Sequence, residues 1–292
     1  MLHRAFRAPC LDVGVPQPTD APDPIVYMDT AARTAVGQDY KERLAAALDL
    51  RSGQAVADIG CGPGTDLARL ADAVTAAGSV VGIDREPRML AEAGRRLAAR
   101  PNVELRLGDV HALPLADASV DRAKADRVLQ HVDDPASAVA EAFRVLRPGG
   151  LFGAAEPDWD TLAVADDDVR TSRGFARFVA ATVRNQTIGR QLARLCTRAG
   201  FRIRSVDAVA VLFRDFDVAD QILGLRRLSA RAVEAGELPA ADVRAWLRRL
   251  ADEPFLAGFT FYLVTGQVPP ETRGDEPGMS SMTRPAAAGG GS

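Results

Sequence analysis

The stretch Val56-Ala57-Asp58-Ile59-Gly60-Cys61-Gly62-Pro63-Gly64-Thr65-Asp66 decides the fold. It is an apolar strand running into a glycine-rich turn and then into a helix, Leu67 to Ala76, whose apolar residues recur three and four apart. Glycines let the backbone approach a ligand closely, and a helix start offers N–H groups with no intrahelical partner. Such a turn at the carboxyl end of a buried strand predicts a cofactor cradle. The dinucleotide pattern G-x-G-x-x-G is broken, because Gly64 comes one residue early and Thr65 stands in sixth place. No Lys-Ser or Lys-Thr pair follows the turn, which excludes a phosphate-cradling P-loop.

Working outward, Val80-Val81-Gly82-Ile83-Asp84 is a second apolar strand ending in a carboxylate, and Leu105-Arg106-Leu107-Gly108-Asp109-Val110 is a third. Leu113-Pro114-Leu115, Ser119-Val120-Asp121 and Arg144-Val145-Leu146-Arg147-Pro148-Gly149-Gly150 follow. In order and spacing, this series over residues 54–156 resembles the class I S-adenosylmethionine-dependent methyltransferases, in particular small-molecule enzymes related to the quinone-modifying ones. The resemblance implies an enzyme with S-adenosylmethionine as cofactor. It places Asp58, Gly60, Cys61, Gly62, Gly64 and Thr65 in the cofactor turn. It implies that Asp84, with Arg85 beside it, accepts both ribose hydroxyls, a task suited to a bidentate acceptor. Asp109 is expected on the adenine amino group and Val110 on the ring, with Asp126 and Arg127 at the methionine part, where the family touches the cofactor through the backbone.

Strands are predicted near 54–59, 79–83, 102–107, 121–126 and 150–156, with helices near 65–76, 86–99 and 135–146. This alternation predicts an α/β, Rossmann-like, mostly parallel sheet with helices on both faces. Phe201–Phe213 and Phe255–Gly266 bring the strands to seven, the last antiparallel as the resemblance implies. Right-handed crossovers then gather Asp58, Asp84, Asp109 and Asp126 at one sheet edge. Expected organisation is a proline-rich, mobile tail over residues 1–24, a methyltransferase domain over 25–268, and a low-complexity, disordered tail over 269–292.

The substrate side rests on fewer signals. Residues 30–50 have helical periodicity, and Tyr27, Tyr40 and Lys41 are candidate lid residues over the cofactor and acceptor; alternatively Tyr40 packs as an amphipathic tip and Lys41 is solvated. Residues 157–187 are expected to be an insertion beside the site, with Asp158 and Trp159 as candidate substrate contacts, Trp159 either a stacking wall or a core plug. Arg190, at a predicted helix start where a cation opposes the dipole, binds a substrate anion or pairs with Glu156. His131 is a candidate general base or a structural histidine, and His111 a loop residue near the adenine. Helices over 215–235 and 239–252 are predicted across the cavity mouth or at a dimer face; Arg226, Arg227, Arg248 and Arg249 are read as solvated.

A formal net charge of −3 over 292 residues gives no global attraction to nucleic acid or anionic membrane. Of 36 basic residues only Lys41 and Lys124 are lysines, a bias ascribed to a GC-rich genome. Cys10, Cys61 and Cys196 show no metal-ligand spacing, and no apolar run approaches the roughly 18 residues of a membrane span. A cytoplasmic monomer or homodimer with no metal is expected, transferring a methyl group to O, N or C of a small, fairly apolar metabolite. The alternatives are a methyltransferase fold repurposed for another reaction or a non-catalytic partner role, and an oxidoreductase, against which Thr65 and Gly108-Asp109 count.

Overall fold

The computed structural model describes residues 22–270; nearly all of the two expected tails, with His3 and Cys10, lies outside the described residues. Seven strands form one sheet: β1 (Ala55–Ile59), β2 (Ser79–Asp84), β3 (Val103–Leu107), β4 (Val120–Asp126), β5 (Leu146–Val164), β6 (Arg202–Phe213) and β7 (Ala257–Gln267). Their order is β3-β2-β1-β4-β5-β7-β6. The first five run parallel, and β7 is antiparallel to both of its neighbours. This puts the topological switch at the carboxyl ends of β1 and β4, where an open α/β sheet parts to admit a ligand.

Alternation along the strands assigns the two faces. Val56 and Val80 pack against α3 (Leu67–Val74) and α4 (Pro87–Arg96), while Ala57, Ile59, Val81 and Ile83 pack against α5 (Pro135–Val145) and α7 (Ile188–Ala199). Helix α5 begins where Asp134 accepts from the N–H groups of Ala136 and Ser137 and Pro135 occupies the first turn, where its missing N–H costs nothing.

A third apolar cluster stands on the carboxyl halves of β5 and β6 and the amino half of β7. It is built from α2 (Ala35–Ala47), α6 (Val169–Ala181), α8 (Phe216–Leu223), α9 (Leu225–Glu234) and α10 (Ala240–Asp252). Helix α1 (Pro24–Arg33), capped by Asp23, completes this roof. Two arginines of α4 fasten it: Arg96 grips Asp29 through two bonds of 2.8 Å, and Arg88 pairs with Asp23.

Three predicted spans differ in the structure. The helix expected over 30–50 is interrupted at Thr34, whose extended backbone ends α1 and whose hydroxyl accepts from Gly37 N to start α2. The helix expected over 215–235 breaks at Gly224, which takes φ +64 between α8 and α9. Strand β5 continues to Val164, pairing Pro157 with Phe261 and Asp158 with Thr260, so the expected insertion begins as sheet and only then becomes α6. The long antiparallel partner β7 offers a ladder there that the parallel neighbour β4 does not.

Candidate active site

A cavity of about 530 Å³ opens at the carboxyl edge, beneath α1 and α2. Its floor at one end is the glycine turn. Gly60 adopts φ +71, and a Cβ there would stand 2.5 Å from Val128 Cγ2, so any side chain would strike the loop after β4. The N–H groups of Gly60 and Cys61 both donate to the Ile83 carbonyl, at 2.7 and 2.9 Å, which folds the turn back over β2. Asp84 then receives Gly62 N on one oxygen at 2.8 Å and Glu86 N on the other at 2.9 Å. A carboxylate has about four acceptor sites, so each oxygen keeps capacity for a hydroxyl in the cavity.

Asp109, at the end of the next strand, is fixed by His111. One Asp109 oxygen accepts from His111 N at 2.8 Å and lies 2.6 Å from Nδ1, while Nε2 accepts from Asp134 N at 3.3 Å. This pattern assigns the proton to Nδ1. These bonds hold the Asp109 carboxyl below its ordinary pKa and leave its second oxygen open.

Beneath this row lies a buried charge cluster. The Nζ of Lys41 bonds Asp66 at 2.6 Å and Asp126 at 2.5 Å, and that of Lys124 bonds Asp66 at 2.6 Å and Asp58 at 3.3 Å. Asp58 and Lys124 are direct register partners on β1 and β4, and Tyr40 Oη donates to Asp126 at 3.1 Å. Burial pushes Asp58 up to about 6 despite Lys124. Burial also acts to raise Asp66 and Asp126, but there the two ammonium groups prevail and both carboxyls are lowered. Tyr40 is raised, by burial first and the Asp126 charge second.

Glu156, fully buried on β5, organises the loop after β4. Its carboxylate accepts from the N–H groups of Val128 at 2.7 Å, Leu129 at 2.6 Å and Gln130 at 3.3 Å. Burial outweighs those donors and pushes its pKa up to about 8. Gln130 in turn accepts from Trp159 Nε1 at 2.8 Å, so one buried acid sets both the loop and the tryptophan.

The other half of the cavity is apolar. Trp159 stacks on Phe259 with ring centres 4.8 Å apart, and Tyr40 on Phe261 at 4.7 Å. Val211, Phe213, Leu223 and Leu228 extend this wall. His131 lies on the rim, exposed, and its pKa is lowered by partial desolvation and by the Arg85 and Arg127 charges.

Of the residues singled out from sequence, the cavity gathers Tyr27, Tyr40, Gly60, Gly62, Asp84, Arg85, Asp109, Val110, Asp126, Arg127, His131 and Trp159. Asp58, Cys61, Gly64, Thr65, Asp158 and Arg190 are not in its wall. Asp58 faces Lys124 instead, and burial raises the Cys61 thiol. Asp158 and Arg190 form a two-pronged ion pair, with Asp160 3.2 Å from Arg190, so Arg190 pairs with Asp158 on β5 and not with Glu156, the alternative partner read from the sequence. Lys41 is buried and not solvated, and Arg227 lines the cavity. Sequence reasoning missed the joint role of Lys41, Lys124 and Asp66, and the anchoring role of Glu156. The signal for the first was present: the only two lysines of an arginine-rich chain are the two that meet.

A glycine cradle at the switch point, with two carboxylates at successive strand ends, defines a nucleoside-binding α/β enzyme of the methyltransferase architecture. Comparison with known proteins agrees. The profile described as "Methyltransferase domain" matches residues 57–154. The chain is 50% identical over 250 residues to an uncharacterized 37.1 kDa protein in transposon TN4556 of Streptomyces fradiae, covering 85% of this chain and 72% of that one. It is 32% identical over 204 residues to a probable S-adenosylmethionine-dependent methyltransferase of Mycolicibacterium smegmatis, covering 70% and 68%. In fold it is similar to the crystal structure of a SAM-dependent methyltransferase from Aquifex aeolicus, with TM-score 0.51 and 16% identity over 84% of this chain and 98% of that one. The chain belongs to the S-adenosylmethionine-dependent methyltransferase family, and S-adenosylmethionine is its cofactor.

Proposed function

We propose that this methyltransferase transfers a methyl group to O, N or C of a small, fairly apolar metabolite. The observation that carries the reading is the continuity of one cavity, with the Asp84–Asp109 row at one end and the Trp159–Phe259 wall at the other. The bound cofactor supplies a methyl group on a sulfonium, already a strong electrophile. What the chain must add is alignment and exclusion of water. Asp84 would hold the ribose hydroxyls with the acceptor capacity left by Gly62 and Glu86, and the open oxygen of Asp109 would take the adenine amino group. Helix α1, fastened to α4 by Arg88 and Arg96, covers the site, while the aromatic wall orients the acceptor. His131, whose lowered pKa leaves it neutral near pH 7, takes a proton from an acceptor that starts protonated.

The enzyme is read as cytoplasmic, a monomer or homodimer, with no nucleic acid or membrane partner. Free buried Cys61 and Cys196 support a reducing compartment, and among the described residues no helix is long and apolar enough to cross a membrane. The test is calorimetric titration with S-adenosylhomocysteine, followed by labelled-methyl transfer to a panel of apolar phenols, amines and quinols alongside tRNA. Micromolar binding and label in a small acceptor are expected. No binding by folded protein, or label in tRNA alone, refutes the reading.

A further inference from the structure

The loop after β4 contains an arginine whose needs the protein does not meet. Arg127 has 19% of its side chain exposed and lines the cavity. Its Nε is fully enclosed and has no hydrogen-bond partner, the one such buried side-chain polar atom among the described residues. The nearest carboxylate, Asp126, is 3.6 Å from that nitrogen and is already engaged by Lys41 at 2.5 Å and by Tyr40 at 3.1 Å. A guanidinium carries five donors, and leaving them unmatched in a desolvated site is costly. The backbone at Arg127 is also in the left-handed region, φ +58, where a glycine would sit without strain. A long cationic side chain held there at a cost points to a role for the side chain itself.

The charges around it indicate what that role is. Of the cavity's carboxylates, Asp84, Glu86 and Asp109 stand at the ends of β2 and β3 or directly after them, and Asp126, at the end of β4, is engaged by Lys41 and Tyr40. On the acceptor side, across α1, α2, α6, α8, α9, β6, β7 and the outer part of β5, the only charged lining residue among the described residues is Arg227. An anion there meets Arg127 and Arg227 and no unpaired acid, whereas a cation finds the one nearby carboxylate, Asp126, already engaged by Lys41.

On the methyltransferase reading above, we propose that the acceptor is an amphipathic acid: its apolar body lies on the Trp159–Phe259 wall and its anionic group pairs with the guanidinium of Arg127. A planar fork that donates two parallel N–H bonds suits the oxygens of a carboxylate or sulfonate.

The cofactor also carries a carboxylate, so the test separates the two sources. The probes are 1-anilinonaphthalene-8-sulfonate and N-phenyl-1-naphthylamine, which differ only in the sulfonate, titrated by fluorescence into protein saturated with S-adenosylhomocysteine. The wild type should bind the sulfonate at least about tenfold more tightly than the neutral amine. Arg127→Gln should abolish that ratio by weakening the sulfonate alone, and Arg127→Lys should retain part of it, while both variants keep their affinity for S-adenosylhomocysteine within about twofold. A wild-type ratio near one, no saturable binding of either probe, or an unchanged ratio in Arg127→Gln overturns the proposal. So does a variant that loses S-adenosylhomocysteine affinity with the ratio intact, which assigns the guanidinium to the cofactor. Loss of both in both variants gives Arg127 a structural role and overturns it too. Failure of the wild type to bind S-adenosylhomocysteine is a separate result, refuting the broader reading.

Discussion

Replacing Lys41 by Met tests whether the buried charge cluster is a balanced unit. Methionine keeps the stem's bulk, so the change is mainly electrostatic. In the wild type Lys41, Lys124 and Arg127 face Asp58, Asp66 and Asp126, three charges of each sign. Lys41→Met leaves two against three. Its side chain is 6% exposed and those of Asp66 and Asp126 are 12% and 4%, so water cannot make good the loss. Removing one partner of a buried ion pair costs about 3–5 kcal/mol, a large share of a domain's net stability of roughly 5–15 kcal/mol. With a urea m-value near the upper end of the usual range, about 3 kcal/mol/M, the unfolding midpoint should drop by about 1–1.7 M. Adding Asp66→Asn restores two charges of each sign, and the double variant should be more stable than the sum of the single losses by about 1 kcal/mol or more. Asp66 and Asp126 have lowered pKa values in the folded wild type, so their contribution is present above the ordinary carboxylate range and is lost on acidification. In Lys41→Met a proton can take the missing charge's place, so the deficit should be smaller at pH 5 than at pH 8. A loss below about 1 kcal/mol, or one with no dependence on pH, would refute the balanced-cluster argument.

Asp84→Ala should weaken S-adenosylhomocysteine binding by roughly 1.5–3 kcal/mol or more, read by calorimetry; unchanged affinity removes Asp84 from the ribose site. If His131 accepts the acceptor's proton, the rate should rise with pH through a pKa below the ordinary histidine value, and His131→Ala should flatten that limb of the profile; a variant with the same profile shows that the imidazole takes no proton. Glu156 is raised to about 8 from an ordinary 4.5, so the folded state binds the extra proton between those values and stability should fall as pH rises across them. Glu156→Gln, which resembles the protonated form, should remove that slope in denaturation curves collected from pH 5 to 9, and an unchanged slope means another group is responsible.

The parallel strands β1 to β4 were legible because each is short and closed by a glycine or a carboxylate, features that survive in one dimension. The cavity placement of Asp84 and Asp109 was legible for the same reason: each stands at or just past a strand's carboxyl end, which fixes the sheet edge it reaches. Asp58 looked equivalent, yet its register partner is Lys124, and that pairing turns it inward. Asp158 and Arg190, 32 positions apart, meet because β5 runs on past the point where the parallel ladder stops, a length set by β7 and not by local pattern. Glu156 gave no local signal either, since its partners are backbone N–H groups that any sequence carries.

The placement of both lysines inside the cluster gives the folded protein a chemical silence. With Lys41 and Lys124 nearly enclosed and the remaining side-chain cations all guanidinium or imidazole, an amine-selective acylating reagent meets no reactive lysine ε-amine on the native surface. Acylation at Lys41 therefore clocks the lifting of α2 from the sheet edge. Performed with and without bound nucleoside, it converts a buried ion pair into a timer for the roof that covers the catalytic cavity.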